Sequence, residues 1–377
     1  MRFFKVERNA ALVLAIAAII GLTMANIGGI EAIDRVKSWV PLGLPISLPL
    51  ESWIYEFGLP AFFFLVGLEL KRELTGGQLS PARKIVVPAL AAILGVCVPA
   101  LAYLAVVGPT SEAAGGWAIP TATDVTFALA VFIAFGRPLP QSARTFLLAY
   151  AVIDDVIAVV IVSFLFTGSV SILTFVWVIL ALSAFAVVNR SKVLSTIFGI
   201  WVAWQVLIAF GAIYAAISGG LQPTLIGLAL GLLIRGQHTR KLEDALHPWI
   251  SFGVLPVFAF FAAAVHFGNL STVATDVVFF AVLIRPIGKF LGIWLGAELG
   301  KKLLGGVAGL PTKTLIPVSL LGGIGFTVAL LVAKYSFVDS PEHEVSAVAA
   351  TLLATAITAL LAALLLSRHG SKSANRA

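Results

Sequence analysis

The chain has 377 residues, of which 60% are hydrophobic and only 11% charged, and its mean hydropathy is +1.04. A soluble domain carries about 25% charged residues, so these values exclude a fold surrounded by water and indicate a polytopic membrane protein. A net charge of +7 invites a nucleic-acid partner, but the positions of the basic residues along the chain account for it otherwise, as set out below. The single cysteine, Cys97, excludes an intramolecular disulfide and suits a small packed residue in an apolar run.

At the N-terminus, Arg2, Lys5 and Arg8 precede the apolar Ala10–Ala25, which has the outline of a signal peptide. Later segments have the same character and no soluble stretch follows, so it is read as an uncleaved first span. Apolar runs separated by charged or Gly/Pro-rich breaks predict an all-α protein of about twelve transmembrane helices. They cover 10–27, 53–70, 86–107, 117–135, 144–166, 171–188, 193–217, 221–234, 248–268, 277–297, 314–335 and 345–366. The whole of 1–377 is read as one transmembrane domain. The connector 28–50, with Pro41, Pro45 and Pro49, is too polar to span. It is expected outside the bilayer as an extended or β-hairpin element; a homodimer, if formed, is expected to use this connector.

With the N-terminus inside, the cytoplasmic segments hold 20 of the 25 Lys and Arg residues, including a tail at 368–377. The outer loops hold only Arg35, Lys37 and Lys334. This asymmetry predicts an even number of spans with both termini cytoplasmic, and it explains the basic charge without nucleic acid. The remaining two basic residues, Arg285 and Lys289, fall inside the tenth span.

Two spans are interrupted in a matching way. In the fourth, Pro120 lies one turn before Asp124, with Thr121 and Thr123 between them. In the eleventh, Pro317 is followed by Gly322, Gly323 and Gly325. Proline removes a backbone donor and glycine loosens the turn. Such unwinding survives at membrane depth only where protein buries it or it lines a water-filled cavity. Interrupted spans at corresponding positions of two halves predict inverted repeats, with the broken helices crossing at a transport site.

The fifth span carries Asp154 and Asp155 side by side in the run 146–166. A charge at mid-membrane costs at least roughly 2.5–3.5 kcal/mol, so intramembrane acids usually face a cavity and carry function. Neighbours on a helix point about 100° apart, so one acid can face an ion while the other faces a partner helix. Asp124, Asp154 and Asp155 outnumber Arg285 and Lys289, and protons or a bound cation can fill the deficit. Burial and like charge raise a carboxyl pKa while a neighbouring ammonium lowers it, and oxygen ligands of this kind bind H⁺ or a small hard cation. Lys289 can neutralise an aspartate when the cation is absent. Arg285, one turn earlier on the same face, suits either a structural ion pair or snorkelling. Glu69, Arg72 and Glu73 end the second span, and Glu243, Asp244 and His247 precede the ninth. Alone they read as solvated helix ends, with His247 the obvious titrating group.

These residues sit in the stretches FFFLVGLELKREL, GWAIPTATDVTFAL, AYAVIDDVIAVV, LEDALHPW, GKFLGI and GGIGFTVAL. In that order they closely resemble the NhaA family of sodium/proton antiporters, from the first span to the twelfth. The resemblance implies an electrogenic exchanger of the cytoplasmic (inner) membrane that trades Na⁺ or Li⁺ for more than one H⁺ and needs no cofactor. It implies that Asp155 is the main cation-binding carboxylate, that Asp154 alternates between the ion and Lys289, and that Thr123 joins them as a ligand. Asp124 would offset the positive helix N-termini at the crossing and Lys289 the negative C-termini. Glu69, Arg72, Glu73, Glu243 and His247 fall on the family's cytoplasmic pH-sensing cluster. Gln222, Asp244 and Ala262 stand where the family has two histidines and an asparagine, and Arg285 is an addition.

Two other classes of protein share parts of this pattern. A sodium-coupled organic-anion symporter on a broken-helix scaffold would need a polar, roomy cavity, and few polar residues could line one. An intramembrane aspartyl hydrolase would need two carboxyls sharing a proton around water. Lys289 favours both acids charged, and a GxGD pattern is absent at either aspartate.

Overall fold

Where water is absent, a run of Leu, Ile, Val, Ala and Phe satisfies its backbone by hydrogen-bonding to itself, and the helix is the open-ended way to do so. In the computed structural model every regular element among the described residues is helical. The described residues are 2–41, 46–76, 82–136, 139–168, 171–190, 198–268, 270–304 and 311–374.

In chain order the helices are α1 (Arg2–Met24), α2 (Ile30–Ser38), α3 (Leu50–Trp53), α4 (Leu59–Gly76) and α5 (Ala82–Val107). A 3₁₀ helix, Glu112–Thr121, leads into α6 (Val125–Phe135), and α7 (Gln141–Phe166), α8 (Ile172–Arg190) and α9 (Phe198–Ser218) follow. Next are α10 (Pro223–Leu233), α11 (Gly236–Trp249), α12 (Leu255–Ala263), α13 (Leu270–Thr275), α14 (Val277–Leu283) and α15 (Arg285–Leu303). The chain closes with α16 (Thr312–Leu321), α17 (Thr327–Ser336) and the long α18 (Pro341–Ala374). Among the described residues ten helical stretches are long and apolar enough to cross a membrane. The predicted eighth span is the short helix α10, and the predicted eleventh is the two half-helices α16 and α17.

Where the sequence suggests one domain, the helices group into two compact units, 1–30, 78–158 and 259–377 in the first, and 31–77 and 159–258 in the second. In the first unit α15 lies along α5, with α14 and α16 on either side of it in sequence packed on α18 and on α15. The reason is a repeat of glycines, Gly288, Gly292, Gly296 and Gly300, on one face of α15. A Cβ on Gly292 or Gly296 would overlap the carbonyl oxygens of Leu94 and Leu90 on α5. Small residues every fourth position let two backbones approach in a medium without a hydrophobic driving force. Around this pair, Phe132, Phe146, Tyr150, Ile293, Leu321 and Ile324 form a buried core.

The second unit uses the same device. Gly227 and Gly231 of α10 pack against the α4 backbone at Pro60 and Phe64, while α9 covers α8 and α10. Trp53, Phe57 and Phe210 stack in a row beside them. Ile172, Leu173, Phe175 and Trp177 of α8 and Val206 and Leu207 of α9 are exposed. An apolar surface of that extent belongs in lipid, and the chain is a multi-pass membrane protein.

The connector 28–50 departs from the expected hairpin. Residues 30–38 form α2, with Glu31 in its first turn, Arg35 and Lys37 in its last, and a Glu31–Arg35 pair at 3.9 Å. That charge order suits the helix dipole and an i,i+4 pair, and it outweighs the pull of the prolines, which begin only at Pro41. The Leu50 amide donates to the Trp39 carbonyl at 2.9 Å, closing the loop; residues 42–45 lie outside the described residues.

Overpacking typically costs about 1–3 kcal/mol, and here the added atoms meet backbone. Gly292→Leu is therefore expected to lower the temperature at which the protein aggregates in detergent by several degrees. Gly211→Ala, on a glycine with open space around it, should not. Equal behaviour of the two variants would show that the α15–α5 contact is not the close one described.

Candidate functional site

The site is assembled within the first unit, where two helices stop short and their loose ends meet. The fourth span ends its 3₁₀ helix at Thr121, runs extended through Ala122–Asp124 and resumes at Val125. The eleventh ends α16 at Leu321 and resumes at Thr327. Each break frees backbone groups that buried chain must satisfy, and the two breaks satisfy each other. The Asp124 amide donates to the Ile324 carbonyl at 2.7 Å, and the Thr123 hydroxyl donates to the Gly322 carbonyl at 2.7 Å.

Asp124 caps two helices at once. Its Oδ1 accepts from the Phe127 amide at the start of α6, 3.2 Å away. Its Oδ2 accepts from the amide and hydroxyl of Thr327 at the start of α17, at 3.3 and 3.0 Å. A carboxylate at an N-terminus meets free N–H groups and the positive end of the helix dipole; this one meets two. Pro120 sits in the last turn of the 3₁₀ helix. Gly322, Gly323 and Gly325 lie in the 322–326 turn, where a Cβ on Gly325 would overlap the Ala122 carbonyl and one on Gly322 would meet Ile293 and Tyr150.

The aspartates and the lysine converge beside this crossing. Lys289 and Asp154 are both 0% exposed, and Nζ lies 2.8 and 2.9 Å from the two Asp154 oxygens. The third Lys289 hydrogen is donated to the Tyr150 hydroxyl at 3.1 Å. Tyr150 therefore donates its own proton to Thr123, 3.0 Å away, and Thr123 donates onward to Gly322. An ammonium can only donate and a carbonyl can only accept, so the direction of all three links is set by the ends of the chain. Asp155, the next residue on α7, is 6% exposed and within electrostatic reach of Lys289. Among the described residues no three His, Cys, Asp or Glu side chains converge as a resident metal site would require.

The structure thus brings together Thr123, Asp124, Asp154, Asp155 and Lys289, with Pro120, Gly322, Gly323 and Gly325 shaping the breaks. It places Glu69, Arg72, Glu73, Glu243 and His247 elsewhere, in the second unit. There Arg72 of α4 pairs with the buried Glu243 of α11, and Arg72 reaches Glu73 at 3.3 Å. Glu69 is one turn before Glu73, and His247 one turn after Glu243. Sequence reasoning missed Tyr150 and Thr327. Tyr150 stands four residues before Asp154, one helical turn away on the same face, and that spacing was the available signal.

Helices that bury a charged cluster beside two facing breaks, within an apolar exterior, define a membrane transporter rather than an enzyme. The description "Na+/H+ antiporter 1" matches residues 1–366 as a family model, and the chain belongs to that family. It is 38% identical to the Na(+)/H(+) antiporter NhaA 2 of Clavibacter michiganensis subsp. michiganensis, over 98% of this chain and 92% of that one. It is 34% identical to the Na(+)/H(+) antiporter NhaA of Aliivibrio fischeri, over 97% and 96% respectively. In fold it resembles the sodium proton antiporter MjNhaP1 of Methanocaldococcus jannaschii, with a TM-score of 0.54 at 15% identity and 99% of each chain covered.

Removing one partner of a buried ion pair costs about 3–5 kcal/mol, while removing both can be nearly neutral. At alkaline pH, Lys289→Met alone should destabilise the purified protein strongly, and adding Asp154→Asn should restore most of the loss. Thermal unfolding in detergent reads both, and additive losses would contradict the pairing.

Proposed function

We propose that this chain exchanges Na⁺ or Li⁺ from the cytoplasm for external H⁺, with both ions competing for the buried aspartates. The observation that carries this reading is the fully buried Lys289–Asp154 pair next to Asp155. Three acids face two bases, so one acid is always short of a positive partner. A proton or a sodium ion on Asp155 supplies it. When Na⁺ arrives, Asp154 can turn from Lys289 to the ion only if Lys289 is relieved of its partner, and a desolvated lysine without a counter-charge sheds its proton. Loading sodium thus releases protons, and a change of access followed by the reverse exchange completes a cycle of alternating access.

More than one proton per sodium makes the cycle electrogenic, and each net charge then draws about 2.3 kcal/mol per 100 mV. Asp155, Asp154 and Thr123 are the proposed cation ligands. Asp124 holds the broken helices in register. The Arg72–Glu243 pair, with Glu69, Glu73 and His247, is proposed as the cytoplasmic pH-responsive group. The proposed membrane is the inner one, with both termini on the cytoplasmic side, the side on which most of the basic residues then fall. Self-association through the 28–50 connector belongs to the same proposal.

In inverted membrane vesicles carrying a respiration-driven ΔpH, added Na⁺ should dissipate the gradient. Asp155→Asn should abolish the response at unchanged expression. A wild-type protein that leaves ΔpH untouched by Na⁺ or Li⁺ at every pH from neutral to alkaline would refute exchange.

A further inference from the structure

Arg285 is 0% exposed at the start of α15, one turn before Lys289 on the same face. Its Nη2 donates to the Thr351 carbonyl at 3.2 Å and to the Thr355 hydroxyl at 2.7 Å. Thr355 donates in turn to the Gly325 carbonyl at 2.5 Å, so the guanidinium is tied to the eleventh-span break. Its Nη1 lies 3.2 Å from where a Cβ on Gly325 would be. Nε and Nη1 are buried without a hydrogen-bond partner, and Arg285 has no salt bridge among the described residues. A buried cation tied only to a carbonyl and a hydroxyl is expensive as a structural device. A Leu or Met would fill the space without that cost.

What the guanidinium adds is charge that stays. Lysine can give up its proton when desolvated, whereas arginine does not. In the buried set Lys289 is committed to Asp154, and Asp124 is offset by the N-termini of α6 and α17. Arg285 is within electrostatic reach of Asp124 and of Lys289, so its charge adds to the field of the buried cluster without a hydrogen-bonded acid of its own. With it the set sums to −1, and without it to −2. The other titratable groups facing this space are Tyr150, Asp154 and Asp155 from α7, Asp124 from the break and Lys289 from α15. From α5 comes Tyr103, whose hydroxyl is donated to the Ala113 carbonyl. Asp276, ahead of α14, is paired with His343 at 2.9 Å, and α16, α17 and α18 offer neutral hydroxyls.

We propose that Arg285 is a fixed counter-charge that lowers the affinity of the aspartate site for both Na⁺ and H⁺. It thereby sets the sodium concentration and the pH at which exchange runs. This rests on the exchange reading above and deepens it. Arg285 acts through the aspartates and is a positioning residue, not a ligand. At an effective dielectric constant of about 20, a unit charge roughly 10 Å from a carboxyl moves it by about one pH unit.

The test uses the full chain reconstituted in proteoliposomes. It reads the Na⁺ concentration for half-maximal exchange at alkaline pH and the midpoint of the acidic limb of the pH profile. Arg285→Gln is expected to lower half-saturating Na⁺ about tenfold and to raise the acidic midpoint by about one pH unit. Arg285→Met, which also removes the charge, should shift both midpoints by about as much, whereas Thr355→Val, which keeps it, should stay within a few tenths of a pH unit of wild type. A structural role would instead lower the rate in all three without moving either midpoint, and that result overturns the proposal. So does a Thr355→Val shift as large as that of Arg285→Gln. Should Arg285→Gln not fold, Arg285→Met decides. A shift of about one unit there supports the counter-charge, and wild-type midpoints overturn it. A wild-type protein with no exchange removes the proposed function as well, whereas an active wild type matched by Arg285→Gln removes this inference alone.

Discussion

Everything at the centre of this protein follows from one ion pair that no water reaches. Lys289 and Asp154 are each wholly buried, and Nζ spends all three of its hydrogens on Asp154 and Tyr150. Taking two charges out of water is costly unless their geometry is good and the remaining donors are satisfied. Both conditions are met here. Under the proposed exchange the pair is a gate, because a cation that seeks Asp154 must first displace a lysine, and that lysine's proton is the one to release.

The rest of the first unit can be understood as the means of holding Lys289 in place. The glycine face of α15 allows its backbone to lie against α5 at Leu90 and Leu94, so the lysine is carried by a helix with little freedom to slide. Broken helices would ordinarily leave orphan amides and carbonyls in a dry interior. Asp124 satisfies amides at two helix starts, and Thr123 and Asp124 satisfy the carbonyls of Gly322 and Ile324. The Tyr150–Thr123 link then connects the charge on Lys289 to the second break through hydrogen bonds of one direction. The polar atoms that stabilise the breaks are thus joined through Tyr150 to the Lys289–Asp154 pair.

Much of this was legible from residue types alone. An acid in an apolar run is costly wherever it lies, so Asp124, Asp154 and Asp155 announced themselves, as did the Pro120 and Gly322–Gly325 interruptions. What could not be read was partnership. Residue types alone do not say which of the three acids Lys289 meets, which only the family resemblance pointed to as Asp154, and nothing in the sequence says that Tyr150 would stand between Lys289 and Thr123 or that Thr327 would share Asp124 with α6. Those contacts join residues far apart in the chain. The glycine repeat from Gly288 to Gly300 was visible but has no meaning until the facing helix is known. The connector was misread because Pro41, Pro45 and Pro49 drew attention from the charge order of residues 31–37, which specifies a short helix. Glu69, Arg72 and Glu73 fall in the last two turns of α4, whereas Glu243, read from the sequence as part of a solvated helix end, is buried in the middle of α11, and only the fold pairs it with Arg72.

The central claim is that sodium and protons are alternatives at one set of buried carboxylates. Calorimetric titration of Na⁺ into the purified protein in detergent, repeated across pH, measures this directly. Competition requires the apparent dissociation constant to rise about tenfold for each unit of falling pH per proton displaced. It also requires binding at fixed pH to release protons whose heat varies with the buffer. An affinity for Na⁺ that stays level as the pH falls through the acidic limb, with no buffer dependence, would contradict it.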